Sequence, residues 1–362
     1  MNEDRIRWAE FEVLCERELE LCALKEHETV VVLSQAGDRQ DYADAFIAAA
    51  NRLGAEAYNI RLGKTSSVLG GSGVWAVGIN PLAGNESALR ALKDADLVID
   101  TVFLLWSHEQ LEIQAAGTRM LMVIEPRSVL ARMFPTADQR RRVEASGELL
   151  RKARTLRMTN TAGTDVVYEL GDCPVMETYG YTDTPGRWDH WPTGFVLTGA
   201  GTPSGVSGRV VVDAGDIIVA PFGRYVADPI ELTIEDGVVQ DLRGRTDANL
   251  LQDYLAEFDD PRGYAVSHIG WGCNENARWC HLANSREGFG QEARAFYGNA
   301  MFALGPNLEL GGDNDTPAHI DIPMRNCSVF LDDEPVLVDG EFVIDELKQP
   351  GRRTAATVGA RP

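Results

Sequence analysis

Thr29-Val30-Val31-Val32-Leu33, then Asp41-Tyr42-Ala43-Asp44-Ala45-Phe46-Ile47-Ala48-Ala49-Ala50-Asn51-Arg52-Leu53, then Ala55-Glu56-Ala57-Tyr58-Asn59-Ile60 is the stretch that decides the fold. The first run is apolar and β-branched, as a strand covered on both faces must be. The second repeats apolar residues at helical spacing and reads as an amphipathic helix. The third returns to a strand. Strand, helix, strand is the pattern of a parallel sheet with helices on its faces.

The same alternation extends outward. Residues 5–24 carry a helical rhythm (Ile6, Phe11, Leu14, Leu19, Leu21). Helices are predicted over 86–95, 108–116, 126–133 and 137–152, and strands over 97–102 and 119–124. Near residue 155 the pattern changes to short strands and turns. Strands are predicted over 209–212, 217–221 and 229–234, and helices over 248–257 and 287–300. Asp236-Gly237 and Asp339-Gly340 are hairpin signals. The reading is therefore α/β: an open, mostly parallel α/β domain over 1–155, then a mixed, mostly antiparallel α+β metal-binding domain over 156–348. A tail over 349–362, rich in Pro, Gly, Arg, Thr and Ala, is predicted to be disordered.

Composition narrows the function. The chain has 362 residues, 44% of them hydrophobic, enough for two cores. Its formal net charge of −21 repels phosphate backbones and argues against a nucleic-acid partner. No apolar run suits a membrane span, and the charged start Met1-Asn2-Glu3-Asp4-Arg5 lacks a signal core, so a cytoplasmic protein is expected. The six cysteines form no CxxC pair and are expected as free thiols. A zinc site on Cys273 and Cys280 is an open alternative. Gly70-Gly71-Ser72-Gly73 lacks the spacing of a phosphate-binding loop and reads as a plain loop.

The chemistry centres on Thr316-Pro317-Ala318-His319-Ile320-Asp321-Ile322-Pro323. Its alternation reads as a strand, on which residues two apart share a face. His319 and Asp321 thus project together and can hold two positions on a divalent ion. One more imidazole would complete a 2-His-1-carboxylate face with open positions opposite, the arrangement of non-haem Fe(II) oxygenases. His268, ending the apolar stretch Tyr264-Ala265-Val266-Ser267, is the candidate; a hydrogen-bonded core histidine is the alternative. His27 and His281 read as surface or structural residues.

A second constellation runs from Glu177 to Pro192. Trp188 and Trp191 flank Asp189-His190, with Tyr179, Tyr181 and Arg187 nearby. Apolar walls with few polar groups describe a small-molecule pocket, and an imidazole suits proton transfer there. The alternative is an aromatic loop folded over the core. Trp106 and His108 follow the strand predicted over 97–102, where open sheets bind ligands beyond the carboxyl ends of strands. A helix start capped by Ser107 is equally consistent.

These segments carry a resemblance. Gly180-Tyr181 with Pro185-Gly186-Arg187-Trp188-Asp189-His190-Trp191-Pro192, Ser267-His268-Ile269-Gly270-Trp271-Gly272, Ala293-Arg294-Ala295-Phe296-Tyr297-Gly298-Asn299, His319-Ile320-Asp321-Ile322-Pro323 and Leu130-Ala131-Arg132-Met133 resemble the 2,5-dihydroxypyridine 5,6-dioxygenase family. That family is distantly similar to the M29 metallo-aminopeptidases. The resemblance implies one Fe(II) held by His268, His319 and Asp321. It implies O₂-dependent opening of the C5–C6 bond of a hydroxypyridine, giving N-formylmaleamate, in nicotinate or related pyridine breakdown. It places Glu177 and His190 in or near the substrate pocket, and it suggests a homo-oligomer. Catalytic roles are expected for His190, His108 and Glu177, and substrate contacts from Trp106, Trp188, Trp191, Tyr179 and Arg294. There is one departure. A family histidine falls where this chain carries Trp106, and His108 comes two residues later. The competing readings are an M29-like dinuclear metallo-aminopeptidase and a non-catalytic binding protein.

Overall fold

The structure is a computed structural model that describes residues 6–64, 74–284 and 288–349. The glycine-rich stretch 70–73 lies outside the described residues, as does the predicted tail beyond Gln349. The chain forms two compact units, neither continuous in sequence. One comprises Met1–Pro135, Thr178–Thr193 and Asn284–Gln291; the other Thr136–Glu177, Gly194–Ala283 and Glu292–Pro362. The sequence reading draws a single boundary at 155/156. In the structure the helix Ala137–Lys152 belongs to the second unit, and two later segments return to the first. Among the described residues no helix is long and apolar enough to cross a membrane.

The first unit is built on a five-stranded parallel sheet in the order Glu56–Leu62, Thr29–Gln35, Leu97–Asp100, Arg119–Val123, Trp188–Trp191. Thr29–Gln35 is interior, and Val30 to Leu33 are fully buried. That is why the run is apolar on both faces. The helices Gln40–Arg52, Glu86–Lys93 and His108–Ala115 fall within a few residues of the predicted spans. The starts of the last two are capped by side chains. The Asn85 and Ser107 side chains accept from the Ala88 and Gln110 amides, each at 3.1 Å, satisfying N–H groups the first turn leaves open. The fifth strand differs from expectation. Trp188–Trp191, expected in a pocket or loop, pairs in parallel with Arg119–Val123, from Met120 opposite Trp188 to Val123 opposite Trp191. Four residues without a flanking strand signal are too short to announce that pairing.

The second unit holds an eight-stranded sheet running from Val238–Gly244 to Glu341–Phe342. A smaller sheet places Ile320–Met324, Ala300–Leu304, Val266–Gly272 and Phe195–Thr198 side by side, all antiparallel. Asp236-Gly237 and Asp339-Gly340 turn as predicted, with both residues of each pair at positive φ. The helix expected over 287–300 is reduced to Gln291–Ala295, and Ala300–Leu304 is a strand. Gly298 breaks it: its φ is +83°, and a Cβ there would meet Gly340 O at 2.0 Å. Both units together make the mixed α/β fold expected.

Candidate metal centre and surrounding residues

His319 immediately precedes Ile320–Met324, and Asp321 lies within it. His268 is inside Val266–Gly272 rather than at a strand end, as the sequence suggested. The two strands flank Ala300–Leu304. Ala303 is the residue registered against Asp321. A register shift between Val266 and Ile269 falls on His268. Bulges of that kind re-aim a side chain.

The three side chains converge. His268 Nε2 lies 3.3 Å from Asp321 Oδ1, and His319 Nε2 lies 3.2 Å from Asp321 Oδ2. All are buried, and one ligand atom from each lies within 4.8 Å of the others. Ligand atoms about 2.1 Å from one ion and at right angles would be about 3 Å apart, so these separations fit a shared divalent cation. The donor set, two imidazoles and one carboxylate, is the one used by non-haem iron. Tyr254 fixes the backbone of His319 from both sides: its hydroxyl accepts from His319 N at 3.1 Å and donates to His319 O at 3.3 Å.

Electrostatics favour metal-ready protonation states. Burial pushes His268 down to about 4 despite the opposing pull of Asp321, so its imidazole is neutral and able to ligate at neutral pH. Burial alone would raise Asp321; the Arg294 guanidinium and the two histidines overcome it and hold the carboxylate far below its usual range. Arg294 forms a buried ion pair with Asp321 Oδ2. The sequence gives no sign of that pairing, nor of the role of Tyr254, because both depend on which strands become neighbours.

The other candidates are placed as follows. In the first unit, His190 is buried and its ring stacks on Trp188 at 5.2 Å between centroids. Asp189, its strand neighbour, faces the other way. Asp189 accepts from the amides of Tyr179, Gly180 and His190 and from Arg187 Nη2 at 2.8 Å, tying the loop from 179 to its own strand. Tyr179 lies under the Arg187 guanidinium at 3.9 Å and donates to Asp183. Trp191 is a core residue: its Nε1 donates to Leu130 O at 3.1 Å, and its ring meets Phe46 and Phe134 edge-on. Trp106 is buried at φ +64°, edge-on to Phe103, while His108 is exposed at the start of its helix. Asp100 holds their loop by accepting from the amides of Val102, Phe103 and Leu104. A cavity of about 220 Å³ opens beyond the carboxyl ends of the strands, between Gln35, Thr101, Phe103, Ile124, Trp75 and Phe289. In the second unit, Glu177 lies on Met176–Thr178 and pairs with Arg151 at 2.6 Å.

The zinc alternative does not form. Cys273 is buried against Ser146 Oγ, Cys280 is exposed, and among the described residues His268, His319 and Asp321 are the one cluster able to hold a metal. His281 is buried and paired with Glu292, and His27 is exposed.

Fold and site together define a mixed α/β protein with a buried two-histidine, one-carboxylate centre. Residues 10–344 match the family described as 2,5-dihydroxypyridine 5,6-dioxygenase, and the chain belongs to that family of ring-cleaving dioxygenases. It is 42% identical over 342 residues to the 2,5-dihydroxypyridine 5,6-dioxygenase of Pseudomonas putida KT2440, covering 93% of this chain and 97% of that one. The solved structure of the P. putida 2,5-dihydroxypyridine dioxygenase superposes with a TM-score of 0.90 at 41% identity, over 95% of this chain and all of that one. Wild-type AmpT from Thermus thermophilus shares the fold at a TM-score of 0.59 and 16% identity, over 92% of this chain and 99% of that one.

Proposed function

We propose that this chain is an Fe(II)-dependent dioxygenase that opens a hydroxypyridine ring, with 2,5-dihydroxypyridine or a close analogue as substrate. The observation that carries the reading is the convergence of His268, His319 and Asp321 in one buried cluster in a chain so similar to a named dioxygenase. Cleavage between C5 and C6 would place both atoms of O₂ in the product, N-formylmaleamate.

His268, His319 and Asp321 would hold the iron on one face. When bound, the ion would acidify a coordinated hydroxyl and bring substrate and O₂ together at its open positions. The protein's own groups supply the rest. Tyr254 keeps the His319 backbone in place, so the ligand geometry is set before any ion arrives. His190, or His108 in place of the family histidine that Trp106 replaces, would take and return a proton at an imidazole nitrogen, and Glu177 would assist as a second carboxylate. Trp106, Trp188 and Tyr179 would contact a planar ring through their apolar faces, with Trp191 supporting its strand from the core; Arg294 lies beside Asp321.

The test is anaerobic reconstitution with Fe(II), then O₂ uptake across a panel of hydroxypyridines with products identified by mass. Stoichiometric O₂ uptake with a product heavier by two oxygen atoms is expected. Equal turnover by the iron-free protein would refute the assignment.

A further inference from the structure

Arg294 is a buried guanidinium in contact with a candidate metal ligand, an arrangement that ordinarily opposes cation binding. We propose that Arg294 is a fixed counter-cation of this site: it compensates Asp321 before an ion arrives, weakens the site's grip on that ion, and restricts the site to one. The inference rests on the reading that His268, His319 and Asp321 hold a divalent cation.

Three observations support it. Arg294 is held by the fold. It lies on the short helix Gln291–Ala295, whose last carbonyls accept from Asn299 Nδ2 at 2.6 Å from Ala293 and 3.1 Å from Arg294. Asn299 Oδ1 in turn accepts from Gly272 N on the His268 strand, so the helix end is tied to the strand that carries a ligand. Second, both oxygens of the carboxylate already have close neighbours. Oδ1 faces His268, and Oδ2 faces both His319 and Arg294. A second ion bridged through Asp321 would have to take the guanidinium's position. Third, paired metals stand about 3.5–4 Å apart, which would bring two further positive charges against Arg294. Among the described residues no other cluster of three ligands is available to offset them.

The sign of the effect separates this role from a merely orienting one. Losing an orienting partner lowers metal affinity by about 10–100-fold. Losing a nearby fixed cation raises it, because like charges in a buried site repel strongly.

The experiment titrates the metal-free full chain with Co(II) under anaerobic conditions, reading visible absorption and heat, for wild type, Arg294→Met, Arg294→Lys and His319→Ala. Wild type should bind one Co(II), and His319→Ala none. Arg294→Met should bind its first ion about tenfold more tightly, as removal of a neighbouring charge requires. Arg294→Lys, which keeps the charge, should stay within about threefold of wild type. The metal-free Arg294→Met protein should melt below metal-free wild type, and Co(II) should close most of that gap. Unchanged or weaker binding by folded Arg294→Met would overturn the counter-cation role. Two Co(II) per wild-type chain would overturn it without any variant. No Co(II) on wild type, or full binding by His319→Ala, would instead remove the metal-centre reading beneath it.

Discussion

His319 and Asp321 stand two residues apart and present Nε2 and Oδ2 at 3.2 Å, side by side at the start of one buried strand. Their spacing alone puts them on one face, and the pairing of that strand puts His268 within reach of both. His319→Ala should therefore leave the fold intact and abolish both bound iron and ring opening. Iron content, circular dichroism and O₂ uptake on the same preparation check this, and retained iron with retained turnover would contradict it.

Asp189 carries the loop beneath His190. Removing its carboxylate as Asp189→Ala takes the buried charged acceptor away from Arg187 Nη2 and from three amide donors. Breaking a buried pair from one side costs about 3–5 kcal/mol, and Arg187 is partly exposed, so a loss near the lower end is expected. Adding Arg187→Met should recover part of it. Denaturant unfolding of the two variants gives the answer; equal stability of Asp189→Ala and wild type would contradict the assignment.

Asp100 gives a pH signature. Burial raises its pKa to about 6 against the pull of three backbone amides. The folded chain thus keeps this proton up to about pH 6, while the unfolded chain releases it near its ordinary value of about 3.9. The sign follows: between these values the folded state binds more protons, so this group's contribution to stability falls as pH rises, by up to about 3 kcal/mol. Above pH 6 the ionised carboxylate accepts fully from the loop amides. The stability difference between wild type and Asp100→Asn should slope across pH 4–6 and flatten above it. Amide exchange at Leu104 should slow as pH passes 6, relative to other amides.

Gly147 makes room for Glu177. A Cβ there would come within 1.7 Å of Glu177 Oε1, the oxygen paired with Arg151. Alanine favours a helix interior by about 1 kcal/mol, and the obstructing atom ends a flexible side chain, so Gly147→Ala should fold. Ring opening should fall as Glu177 is displaced. Full activity in a folded Gly147→Ala protein would argue against a catalytic carboxylate at 177.

Gly270 is a contrasting case. A Cβ there would lie 1.8 Å from the carbonyl oxygen of Val196, a main-chain atom in the adjacent strand. Neither strand can yield without parting the sheet that carries His268. Gly270→Ala should lose more than about 4 kcal/mol or fail to fold, which expression and thermal melting would show.

The sequence by itself determined the parallel α/β half, because the buried run at Thr29 and the helix after it are dictated by local periodicity. It also determined the hairpins at Asp236-Gly237 and Asp339-Gly340, and it placed His319 and Asp321 on one face, because a strand's period is two. Each of these follows from forces within a few residues. Tertiary structure alone decided the rest. Trp188–Trp191 became a parallel strand because an edge of the sheet was available to it. The helix over 287–300 shortened because Gly298 lies against another loop. Trp191 turned into the core, while Arg294 and Tyr254 closed on the cluster. Those outcomes rest on contacts between residues far apart in the chain, where hydrophobic burial and the pairing of buried charges act without regard to sequence distance.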